Sequence, residues 1–199
     1  MVNSIFFIPL KIIILIVLIS LSDSSLANEI DVSKWSYDDL APIACEMAGV
    51  KNYTGALKVF DLAVHAAPNY PEGYINRGAV LGFLHQQEKA IQDEQMALSL
   101  AKSNSKSDIA FRSLAHQNLS GIYLNNKQFD KAEEEARIAV KIRPESATAQ
   151  ETLGDVLKEN GKPHEALFRL KRARDLYERV GLPNEAKKLD AKITELQSK

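Results

Sequence analysis

Little in this sequence can staple, break or steer the chain. A single cysteine, Cys45, excludes an intrachain disulfide and a cysteine-based zinc site. Glycine and proline number only 9 and 7, about 8% together against the ~12% usual in globular chains. With so few breakers beside a hydrophobic content of 45%, a helical protein is expected rather than a turn-rich β fold. Charge of either sign is not in excess. Twenty-five basic and 26 acidic residues leave a net charge of −1, which speaks against nucleic acid or an anionic membrane as a partner. Catalytic signatures are missing too, with no glycine-rich phosphate loop, G-x-S-x-G elbow or H-E-x-x-H helix. The four histidines, His65, His85, His116 and His164, lie far apart with no partner at metal-binding spacing. No enzyme activity, metal or cofactor is expected.

What is present begins with an export signal. Lys11 precedes ten mainly apolar residues from Ile12 to Leu21, and Ser25-Leu26-Ala27 places small residues at the −3 and −1 positions of a cleavage site. Residues 1–27 are read as a signal peptide cleaved before Asn28, with 28–36 as a lead-in. The alternative is an uncleaved membrane anchor over residues 4–21, though Pro9 and Lys11 interrupt it. The expected location is periplasmic or secreted, with no membrane contact after cleavage.

The rest of the chain carries a repeat. Ala56 and Ala90 are 34 residues apart, as are Ala63 and Ala97, Ala132 and Ala166, and Ala139 and Ala173. A fixed period of this length marks a stacked array. With these alanines at repeat positions 20 and 27, the repeats run 37–70, 71–104, 113–146 and 147–180, with an insertion at 105–112. Position 8 is always small (Ala44, Gly78, Ser120, Gly154), and position 11 is always large (Met47, Leu81, Tyr123, Leu157). Ser36 is placed to cap the first helix, and Pro71 and Pro163 to start later ones. The polar stretch Ser103–Asp108 can cap a lengthened third-repeat helix, and Asn160-Gly161 can close the helix that begins near Ser146. Residues 181–199 form a last helix whose Ala186, Leu189, Ile193 and Leu196 recur at helical spacing.

This pattern resembles the tetratricopeptide repeat family over residues 37–180. The resemblance implies an all-α, right-handed superhelical array of four helix pairs, closed by the C-terminal helix as a cap. It also implies a concave groove lined by repeat positions 2, 5, 6, 9, 12 and 13. Those positions hold Ile75, Asn76, Ala79, Phe83, Leu114, Gln117, Asn118, Gly121, Leu124 and Asn125. The basic clamp of the chaperone-binding members is not matched, because its slots hold Ala41, Cys45, Asn76, Leu114 and Asn118. Cys45 falls at groove position 9, where it is read as small-residue packing, with a thiol that meets a partner as the alternative. Asn76 and Asn118 share position 6 on consecutive first helices, so outside the core they are read either as a ladder that grips a peptide backbone or as plain solvated polar residues.

Two charges break the apolar pattern of the second repeat, Arg77 at position 7 and Glu94 at position 24. They are read either as a pair or as a locally solvated weak spot. The runs Glu133-Glu134-Glu135 and Lys171-Arg172-Ala173-Arg174 are expected on a solvated convex face. The expected function is non-catalytic binding of a partner peptide or protein in the groove, within an envelope assembly or secretion system. A self-assembling structural subunit without a peptide ligand is the alternative.

Overall fold

The structure, a computed structural model, describes residues 35–197, so the expected signal peptide and most of the lead-in lie outside the described residues. Those residues form nine helices and no strand: α1 Tyr37–Gly49, α2 Tyr53–Ala66, α3 Pro71–Phe83, α4 Gln87–Leu100, α5 Lys106–Asn125, α6 Phe129–Ile142, α7 Ala147–Glu159, α8 Pro163–Arg179 and α9 Pro183–Gln197. None is long and apolar enough to cross a membrane. The chain divides into two units, one ending at Asn69 and one starting at Tyr70.

The first unit holds the hairpin of α1 and α2. Ser36 caps α1 as expected. Its Oγ accepts from the backbone N–H of Asp39, and the Asp39 carboxylate accepts from the Ser36 N–H, so the cap is reciprocal. Ala44, Ala56, Val59, Phe60 and Ala63 are buried between the two helices.

The second unit holds α3 with α4, α5 with α6, α7 with α8, and then α9. The alanines at positions 20 and 27 of its three repeats are all buried, because a methyl group lets facing backbones approach closely. At position 8, a Cβ on Gly154 would stand 2.8 Å from Leu170 Cδ2, so only hydrogen fits without displacement. The insertion forms no separate loop. It lengthens α5 to 20 residues, capped by Ser105, whose Oγ accepts from the Asp108 N–H. Arg112 in this extension donates to the carbonyls of Ala101 and Ser103, which follow α4, at 2.8 and 2.7 Å. Phe111 sets its ring edge-on to Tyr70.

One turn recurs throughout. Lys51, His85, Lys127 and Gly161 all sit at repeat position 15 with φ of 62°, 58°, 57° and 71°. The residue after each donates its N–H to the carbonyl five residues back, as Gln86 does to Leu81 and Lys162 does to Leu157. This left-handed cap closes the first helix of every pair. It appears a fifth time at Gly181 (φ 77°), where the Leu182 N–H donates to the Tyr177 carbonyl. The sequence Gly181-Leu-Pro-Asn-Glu-Ala186 there echoes Gly161-Lys-Pro-His-Glu-Ala166. Thus α9 joins α8 as the second helix of a pair joins the first, and α8 serves in two hairpins. Ala186, Leu189 and Ile193 are buried against Leu170, Ala173 and Tyr177, as expected of a cap, and Leu196 packs alongside.

Candidate interaction surface

Within the second unit, α3 and α5 enclose a concavity of about 240 Å³. Its walls are bare because Gly82 on α3 and Gly121 on α5 carry no side chain, and Gly78 beside them turns its missing side chain towards Glu94. Six of the expected groove residues line it: Ala79, Phe83, Gln117, Asn118, Gly121 and Asn125. Phe83, 62% exposed, gives it an aromatic rim, and Asn125 is also exposed. No charged side chain is in the lining.

Other expected groove residues lie elsewhere. Ile75 is 1% exposed and belongs to a core cluster with Ala97 and Ala115, so no partner can reach it. Asn76 is half-buried and outside the lining, while Leu114 is exposed beyond it. Leu124 packs against the core formed by α6 and α7. Gln117 lines the concavity but is mostly buried, with its amide donating to the Ser113 carbonyl at 3.1 Å. Cys45 is exposed on α1 in the other unit, not packed as a small core residue.

The asparagine ladder does not form as expected. Asn118 donates its Nδ2 to Glu94 Oε1 at 2.8 Å, so this amide is turned into the protein. Glu94 itself is 0% exposed and fills the slot held by Phe60, Ala136 and Leu170 in the other repeats. Both readings of Arg77 and Glu94 are therefore corrected, since Glu94 is neither solvated nor bound to Arg77. The arginine makes a two-pronged bond to Asp93, with Nε and Nη2 each 2.7 Å from a carboxylate oxygen. The carboxylate one residue earlier wins because it sits at the helix edge, where a planar guanidinium can meet both oxygens.

Comparison with known proteins identifies the architecture. MamA from Desulfovibrio magneticus RS-1 superposes with a TM-score of 0.54 at 18% identity, covering 85% of this chain and 97% of its own. TTC0263, a thermophilic TPR protein of Thermus thermophilus, superposes at 0.57 with 18% identity, covering 82% and 92%. The Cut9–Hcn1 hetero-tetramer of the APC/C superposes at 0.62 with 15% identity, covering 78% of this chain and 30% of that one. The fold is of the tetratricopeptide type. No protein-family model and no curated protein matches the sequence.

A further buried carboxylate of this tetratricopeptide fold, besides Asp93 and Glu94, corrects the reading of the charge runs. Glu133 is 7% exposed, not solvated, and accepts from Arg137 Nε at 2.9 Å, Asn160 Nδ2 at 2.6 Å and Lys162 Nζ at 2.8 Å. Burial pushes its pKa up, but the three donors outweigh burial and hold it below the usual carboxylate value. Glu135 meets His116 Nδ1 at 2.6 Å, and Ala173 is buried. Sequence periodicity misses the burial of Glu94 and Glu133 because it reads a charged letter as solvent-facing. Only the donors Asn160 and Lys162, in the turn between α7 and α8, show that Glu133 points inward. Among the described residues no cluster of His, Cys, Asp or Glu is arranged to hold a metal ion.

Proposed function

We propose that the chain is a non-catalytic scaffold that binds a segment of a partner protein in the concavity between α3 and α5. The observation that carries this reading is the lining itself, with bare glycine walls, an exposed aromatic rim at Phe83 and the amide of Asn125. Glycine walls let a partner backbone come close, Phe83 offers apolar area, and an amide both donates and accepts. The tetratricopeptide fold supports it, as does the presence of a similar chain in the Cut9–Hcn1 hetero-tetramer. Export through the signal peptide and service in an envelope assembly or secretion system are part of the proposal, on the strength of residues 11–27.

A photo-crosslinking residue at position 83 tests the site against one at Phe168, which is also exposed but lies on α8 outside the concavity. The partner should crosslink at 83 and not at 168. Equal crosslinking at both would remove the concavity from the account.

A further inference from the structure

The carboxyl group of Glu94 lies directly beneath the concavity. Two of the residues that line the concavity, Gly78 and Asn118, frame it. A Cβ on Gly78 would stand 2.7 Å from Glu94 Oε1, and Asn118 Nδ2 is 2.8 Å from the same atom. The other oxygen, Oε2, is buried and has no hydrogen-bond partner. A carboxylate in that place is costly, because a buried charge needs donors on both oxygens or a cation nearby. A neutral acid needs far less.

Among the described residues no cation is placed to supply the difference. On its own helix the nearest charge is Asp93, which repels a second negative charge. From α3, Arg77 is forked onto Asp93, and from α5 the group facing Glu94 is the neutral amide of Asn118. Burial pushes the Glu94 pKa well above the usual glutamate range. The Asn118 hydrogen bond draws it partly back down, and Asp93 adds a further upward push.

We propose that Glu94 is a proton-operated latch on the concavity. With its proton in place, the acid on α4 accepts from Asn118 of α5 and sits under Gly78 of α3 without drawing in water, so the two helices stay packed over it. When the proton leaves to bulk water, the carboxylate draws water to Oε2, and the α3–α5 wall loosens. The latch regulates the site proposed above and depends on that reading for its use, though its test needs no partner.

The test follows the purified chain by NMR from about pH 4 to about pH 9, a span that covers ordinary and burial-raised glutamate titrations alike. The Glu94 side-chain carboxyl, the Asn118 side-chain amide and the backbone amides of Gly78, Gly82 and Gly121 should share one titration midpoint, well above the usual glutamate range. Hydrogen exchange in α3 and α5, corrected for its intrinsic pH dependence, should rise about tenfold across it, the equivalent of one pKa unit. In Glu94→Gln the glycine and Asn118 signals should stay at their low-pH positions. A flat wild-type response, a Glu94 midpoint different from that of Asn118, or a titration that persists in Glu94→Gln would overturn the latch. The wild-type readings stand alone if the variant does not fold. A flat response leaves the concavity reading intact, and partner crosslinking away from position 83 leaves the titration intact.

Discussion

Asn118 on α5 gives its side-chain amide to Glu94 on α4 at 2.8 Å, joining the third repeat to the second through a core position. The bond explains how an acid survives in a slot that other repeats fill with Phe60, Ala136 and Leu170. It also makes Asn118 structural. Asn118→Ala should cost about 1–3 kcal/mol, the cost of leaving a buried polar group unmade. The exposed Asn125 is the control, and Asn125→Ala should be neutral within about 0.5 kcal/mol. Urea denaturation measures both. A double-mutant cycle of Asn118→Ala with Glu94→Ala should show coupling, and additive losses would break the link.

Glu94 sets a pH dependence of its own. Its folded pKa is raised by burial, so the folded state holds the proton more tightly than the unfolded chain. Stability is therefore lost as pH rises from the unfolded glutamate value towards the folded one. Glu94→Gln keeps an acceptor for Asn118 and removes the titration. It should be more stable than the wild type at neutral pH, where the buried charge is removed, and converge with it in acid. An equal gain at all pH values would show that the charge is not the cause.

Glu133 has the opposite sign. Burial raises its pKa, but the donors Lys162, Asn160 and Arg137 bring it below the ordinary value. Its stabilisation is present above the unfolded glutamate pKa and is lost as pH falls through the folded one. Glu133→Gln should cost about 1.5–3 kcal/mol near neutral pH, the range for hydrogen bonds to a charged group, and less in acid. Thermal melts at several pH values measure the difference, and a gap that widens towards acid would reverse the assignment.

The two-pronged bond between Arg77 and Asp93 should be specific to its geometry. Arg77→Lys keeps the charge but cannot present a planar fork, so it should recover less than half of the loss caused by Arg77→Ala. Urea denaturation of the two variants measures the recovery. Full recovery would reduce the pair to simple charge attraction.

The sequence carried the architecture because it is written in small residues at fixed spacing. Each alanine at positions 20 and 27, from Ala56 to Ala173, is buried where a larger side chain would hold two backbones apart. The helix starts marked by Ser36, Pro71, Ser105 and Pro163 were legible because their signals are local. The destinations of the side chains were not. Whether Arg77 meets Asp93 or Glu94 depends on the angle between two helices, and that angle is absent from a period. Asn118 was placed on the correct helix face. Its amide turns inward because an acid, Glu94, occupies a core slot of the preceding repeat. The fifth use of the helix-closing turn, at Gly181, was hidden by its shorter spacing, 20 residues after Gly161.

The binding claim itself rests on Phe83 and Asn125, which line the concavity and take no part in the Glu94 bond. The most direct measurement is the affinity of the partner crosslinked at position 83 for the chain carrying both Phe83→Ala and Asn125→Ala, by isothermal titration calorimetry. The account predicts at least about tenfold weaker binding, equivalent to ~1.4 kcal/mol, with an unchanged melting temperature and with Phe168→Ala binding as the wild type does. Wild-type affinity in the double variant would contradict it.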